Sequence, residues 1–364
     1  MINLRTFLIV SLIFIPSLSN AQSYEDGAAA ANKGDYKTAF KIFTQLATDG
    51  NVKAEASMGS LYVQGFGVKK NIDEGLRWYR LAASHGSNRA KRGLAGAYFD
   101  GIGVGKDEKE GLRLLTESAE GGFAGAQILM GDIHIDGRYV ERDSAKAFSW
   151  YQKASDQNNS VAQYKLATMH LKGHGIPHNI DKAVVLLKTS AEQDYPPAIN
   201  ELGILYMAGN GVEQNNEKAA QYFVGAANFG FPRAQHNLAT LYLAGKGVPQ
   251  NDAIAFKLAL SAAQGGVLLS QEYVCMLYRT GRGVEQNFVK AFQWCAKAAE
   301  NGSPNAAYNL GVFYGAGIGT KVNCTLARNW TEKAAKAGLV EASTSLNDPV
   351  KEAECDALEK SQQQ

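Results

Sequence analysis

The chain has 364 residues, with 37 basic against 35 acidic side chains and a formal net charge of +2. So even a balance argues against nucleic acid as a partner, since phosphate backbones are held by a net basic face. Length alone suggests two globular domains, a reading that the internal periodicity replaces.

The first 21 residues carry Arg5, an apolar run from Phe7 to Ile15, then Pro16 and Ser19-Asn20-Ala21. This is the pattern of a cleaved signal peptide, and the run is shorter than the roughly 20 residues that span a bilayer. The mature chain is expected to begin at Gln22, be exported to the periplasm or medium, and carry no lipid anchor or membrane span. Residues 22–51 follow, where Gly34-Asp35-Tyr36 makes a short turn ahead of Ala39, Phe40 and Phe43. They read as a helix hairpin that caps the N-terminal end.

From Gly50, steps of 36 meet Gly86, Gly122, Asn158, Asp194, Gly230, Gly266, Gly302 and Gly338 without insertion or deletion. Gly, Asn and Asp all tolerate the left-handed conformation that ends a helix. A fixed period of this length is the signature of a repeat array. Within residues 198–230, Ala198, Leu202, Gly203 and Tyr206 share one helical face up to Gly209, and Lys218-Ala219, Tyr222-Phe223 and Ala226-Ala227 mark a second helix. Gly209 has counterparts at Gly65, Gly101, Gly137, Gly173, Gly245, Gly281 and Gly317. Each is placed to cap the first helix in the left-handed conformation. Three residues on, Val68, Val104, Val140, Ile176, Val212, Val248 and Val284 can plug the hairpin, with Thr320 the one departure. Eight antiparallel hairpins are therefore expected over 52–338. Folding a hairpin about its loop sets Gly59 against Tyr79, Gly131 against Tyr151 and Gly203 against Phe223, small against large. Residues 339–364 read as a closing helix, to about 360, and a frayed tail.

All four cysteines come late. Cys275 holds the Gly59 position and Cys295 the Tyr79 position of the seventh unit, so the two meet where the helices cross. In an oxidising compartment a disulfide follows. Cys324 opens a second helix, and a bridge from it to Cys355 would pin the C-terminal end. There is no Cys-x2-Cys zinc spacing. His170, His174 and His178 are four apart, but Gly173, Gly175 and Pro177 break any helix there. The Gly-x-Gly loops follow helices and lack the Gly-Lys-Ser/Thr ending of phosphate loops. No metal or cofactor is expected.

The pattern Ala-x3-Leu-Gly-x2-Tyr-x2-Gly-x-Gly-Val-x5-Lys-Ala-x2-Tyr/Trp-x3-Ala-Ala-x2-Gly resembles the Sel1-like repeat, a relative of the tetratricopeptide repeat. Residues 198–230, 234–266 and 306–338 carry it. So does 54–86, where Met58 and Glu74-Gly75 stand for Leu and Lys-Ala. His134 and His170 replace Tyr, while Leu114, Leu186 and Leu258 replace Trp or Tyr. The resemblance implies an all-α, right-handed α/α superhelical solenoid of antiparallel helix hairpins with a 36-residue period. It also implies a non-enzymatic adaptor for protein–protein contacts.

In such arrays the first helices line the concave side. Position 63 and its counterparts there read Val63, Phe99, Ile135, Leu171, Met207 and Leu243, then Arg279 and Gly315. Tyr164, Ile204, Tyr273, Met276 and Tyr308 lie beside them. Six apolar side chains in succession form a candidate groove for a partner polypeptide; the competing reading is that position 63 is simply core. The leading function is an exported, monomeric scaffold, whether a secreted factor aiding host-cell entry or a periplasmic regulator of a sensor kinase or envelope assembly. A third reading, β-lactam hydrolysis or penicillin binding, is weakened by the absence of Ser-x2-Lys.

Overall fold

The computed structural model describes residues 22–362; the signal-peptide reading and the last two residues lie outside them. Among the described residues there are twenty helices and no strand. Contacts divide the chain into two units at Ala154/Ser155. The first holds a pair at the N-terminal end, α1 (Tyr24–Asn32) and α2 (Tyr36–Thr48). It continues with the hairpins α3 (Val52–Gln64) with α4 (Ile72–Ser84), α5 (Asn88–Asp100) with α6 (Glu108–Glu120), and α7 (Ala124–Asp136) with α8 (Ser144–Ser155).

The second unit continues with α9 (Ser160–Lys172) and α10 (Ile180–Ala191), α11 (Pro196–Ala208) and α12 (Asn216–Asn228), and α13 (Pro232–Ala244) and α14 (Asp252–Gln264). Then come α15 (Leu268–Thr280) and α16 (Phe288–Glu300), and α17 (Pro304–Ala316) and α18 (Cys324–Lys336). It ends with α19 (Val340–Leu346) and α20 (Pro349–Ser361). Within each unit successive helices pack on one another, α7 meeting α8 where Gly131 faces Tyr151, except that α20 packs on α17 and α18; this is the contact pattern of a solenoid of stacked hairpins.

The expected single closing helix is in fact two. Proline disfavours helical conformation in the residue before it, and Pro349 starts α20 just after the break at Asn347-Asp348. Of the expected frayed tail, Gln362 is held, since the Val322 N–H donates to its Oε1 at 3.1 Å.

The loop glycines do two separate jobs. Gly65 and its seven counterparts are the left-handed caps of the first helices. The second glycine lies against the preceding helix pair at Gly67, Gly103, Gly211, Gly247, Gly283 and Gly319: a Cβ on Gly247 would strike the Asn216 carbonyl, and one on Gly283 the Asp252 carbonyl. Glycine is needed there for close approach as well as for positive φ. In the third hairpin Tyr139 takes this place at φ 69 and stacks on Phe99, with ring centroids 4.2 Å apart.

The loop closes on an N-cap. The side chains of Asn71, Asp107, Asp143, Asn179, Asn215, Asn251, Asn287 and Asn323 each accept a backbone N–H in the first turn of a second helix. Their own N–H groups donate back to the first helix, as from Asn215 to the Tyr206 carbonyl at 2.8 Å. One residue thus satisfies a helix start and fixes the hairpin.

The crossings are as tight as the small–large pairing requires. A Cβ on Gly203 would lie 2.6 Å from the ring of Phe223, which is fully buried, and Gly59 and Gly131 meet Tyr79 and Tyr151 in the same way. At the turns between hairpins, Asn158 and Asp194 adopt φ 59 and 57 where the other repeats have glycine.

Candidate functional site

Position 63 starts as a packing position. In the first unit, a Cβ on Gly75 would lie 2.6 Å from Val63 Cγ2, so Val63 faces its own second helix. Phe99 is buried at 6% exposure between Gly111 and Tyr139. Ile135 is half-buried.

In the second unit the row is divided between core and solvent. Leu171, Met207 and Leu243 are all half-buried: each packs one side on a core cluster and leaves the other open. Ile204, Tyr164, Tyr273, Met276 and Tyr308 are half-buried beside the same run of first helices. The row then changes character, because Arg279 is exposed and Gly315 lies 4.0 Å, measured from an ideal Cβ, from Cys355 Sγ.

Polar groups set among these side chains give the surface its electrostatics. Burial raises the Glu201 carboxyl above its ordinary value, against the opposing pull of Lys172 and Arg233. The Tyr164 phenol is also pushed up, first by burial and then by Glu201. Burial lowers His236, whose Nδ1 lies 2.8 Å from Ser270 Oγ and whose ring centroid is 5.2 Å from that of Tyr273. Aliphatic, thioether and phenol groups with a few polar side chains can hold a ligand by contact and hydrogen bonding.

Both cysteine pairs are bridged. Cys275 and Cys295, 3% and 1% exposed, are joined with Cα atoms 5.3 Å apart. Cys324 and Cys355 are joined with Cα atoms 5.8 Å apart. Donor atoms of Cys324, Asp356 and Glu359 lie within 4.8 Å of one another, but a disulfide sulfur offers no thiolate to a metal. His170 stands inside α9, buried in a tyrosine position, while His174 and His178 are exposed in the loop that follows.

Three hairpins carry a polar pair 30 residues apart that spacing alone does not announce. The Glu55 carboxylate, itself buried, lies 2.9 Å from His85 Nδ1; Gln193 donates to Gln163 at 2.8 Å; Asn301 donates to Gln271 at 2.9 Å. Each pair ties the start of a first helix to the end of its second. Read from one register to the other, the polar identities were visible; their contact depends on the hairpin crossing.

The geometry defines a class: a helix-hairpin repeat array with capped loops and a lined first-helix face. The family profile for the Sel1 repeat matches residues 52–87, 89–123, 124–159, 160–195, 196–228, 232–267, 268–303 and 304–339. The chain belongs to the Sel1 repeat family, with eight repeats. It is 33% identical to a Sel1 repeat protein from Oxalobacter formigenes, over 84% of this chain and 89% of that one, with a TM-score of 0.62. A protective antigen present in uropathogenic Escherichia coli strains, displaying an SLR fold, shares the fold at 24% identity, over 93% and 82% of the two chains, with a TM-score of 0.52. No curated protein matches the sequence. Proteins of this family are in general protein–protein interaction scaffolds and not catalysts. Among the described residues no helix is long and apolar enough to cross a membrane. The two disulfides fit an oxidising compartment.

Proposed function

We propose that this Sel1-repeat protein is an exported, monomeric, non-enzymatic adaptor that holds a partner polypeptide along the first-helix row of its second unit. The observation that carries the reading is the run of half-buried Leu171, Met207 and Leu243 at 36-residue spacing, flanked by Ile204 and Met276. Phe99, by contrast, is closed over. Glu201, Lys172 and Arg233 supply a polar surround, and apolar contact area with a polar rim is how protein surfaces hold partners. Export rests on residues 1–21 and on the disulfides, and fractionation of cells and medium tests it. Changing Leu171, Met207 and Leu243 together to Ser tests the row. Loss of partner capture at an unchanged melting temperature supports a binding face; capture lost only in step with the melting temperature assigns the row to the core.

A further inference from the structure

The last repeat differs from those before it because the chain lays its own helix across it. In α17 the inner face offers Tyr308, Val312 and Gly315, and Gly315 is the counterpart of Leu243. Helix α20 crosses this face, with Cys355 over Gly315. It is poorly seated. From Ala353 to Ser361, Cys355 alone is buried; Leu358 is 45% exposed, and Glu359 is half-buried. A cleft of about 600 Å³ remains beneath the helix, lined by Tyr308, Val312, Arg328, Leu346 and Leu358 among others. A helix of this length has scant stability of its own, and over 353–361 it buries little to add to that. Among the described residues, the Cys324–Cys355 bridge ties it to α18, and the Val322 N–H donates to Gln362 Oε1 just beyond it.

We propose that α20 is a disulfide-tethered lid on the inner face of α17, and that a dithiol reductant releases it to uncover the half-buried Tyr308 and Gly315. The two bridges differ in access. Cys324 is half-buried, whereas Cys275 and Cys295 are enclosed between α15 and α16. Exchange needs a thiolate to reach a sulfur, so the terminal bridge opens first. One thiolate of the dithiol attacks Cys324 Sγ, the Sγ–Sγ bond breaks, and Cys355 leaves as a thiolate that takes up a proton. The second thiol of the reductant then displaces Cys324, which is protonated in turn. Two electrons and two protons pass to the protein, and the dithiol becomes its cyclic disulfide. The seat thus freed is the far end of the row proposed above for a partner, yet the release itself does not depend on that proposal.

The test is hydrogen–deuterium exchange of the full mature chain, oxidised and after mild dithiothreitol treatment, with alkylation mapping which cysteines have opened. The expected result is alkylation of Cys324 and Cys355 before Cys275 and Cys295, with amides of 353–361 exchanging at least about tenfold faster and those of α15 and α16 unchanged. The variant Cys324→Ser/Cys355→Ser should show the same fast exchange without reductant. Should that variant fold badly, selective reduction of the wild-type chain still decides. Protection of α20 that survives opening of its bridge, or opening of Cys275–Cys295 first, overturns the proposal. Neither outcome bears on whether Leu171, Met207 and Leu243 bind a partner.

Discussion

Two glycines of one hairpin should respond to the same substitution with opposite signs. An alanine Cβ at Gly203 in α11 would sit 2.6 and 2.7 Å from two ring atoms of Phe223, whose ring is enclosed and has nowhere to retreat. At Gly225 in α12 the nearest atom, Ile199 Cγ2, is 3.5 Å away, an ordinary contact. Either change gains about 1 kcal/mol from helix propensity. Only Gly203→Ala also overpacks a core, at a cost of roughly 1–3 kcal/mol. Gly225→Ala should therefore stabilise by up to about 1 kcal/mol, while Gly203→Ala should be neutral to about 2 kcal/mol destabilising. Urea unfolding followed by circular dichroism at 222 nm, with the slope held common, measures both. Adding Phe223→Leu should rescue Gly203→Ala with a favourable coupling of about 0.5–3 kcal/mol. Equal stabilisation by the two alanines, with no coupling, would refute the crossing as described.

The other predictions rest on separate contacts. Asn215→Ala removes an N-cap acceptor and should cost about 1 kcal/mol by the same unfolding assay, whereas Asn215→Asp should cost much less. Replacing Cys275 and Cys295 by Ala opens a loop of sequence separation 20 and should cost about 3 kcal/mol, read as a lower unfolding midpoint under non-reducing conditions. Glu201 has a folded-state pKa raised above its ordinary value of 4.5, so it binds its proton more tightly when folded. Its contribution is fully present below that value and is lost as pH rises through the folded pKa. Glu201→Gln should then raise the melting temperature at pH 7 relative to wild type, and the gap should close as pH falls below 4.5.

The hairpins were legible because period and chemistry coincide: Gly209 and its counterparts cap, and Gly203 faces Phe223, whatever lies around them. The N-caps are equally visible, since Asn71 through Asn323 recur every 36 residues as Asn or Asp. The constraint on the second loop glycine is not legible, because it comes from the preceding hairpin, as Gly283 shows against Asp252. Position 63 was harder. Sequence spacing assigns Phe99 and Leu171 to the same face, but Tyr139, standing where a neighbouring repeat has glycine, covers the first and nothing equivalent covers the second. The break before Pro349 was also readable. That α20 crosses α17 was not, because it departs from the repeat.

The most direct test of the proposed scaffold is a photo-crosslinking amino acid placed at Met207 in cells of the source organism, compared with one at Val224, exposed on the second helix of the same hairpin. Discrete adducts from position 207 that are lost with Leu171→Ser/Leu243→Ser, and none from position 224, are the predicted result. Adducts in equal yield from both positions, or from neither, would contradict a partner held along the first helices.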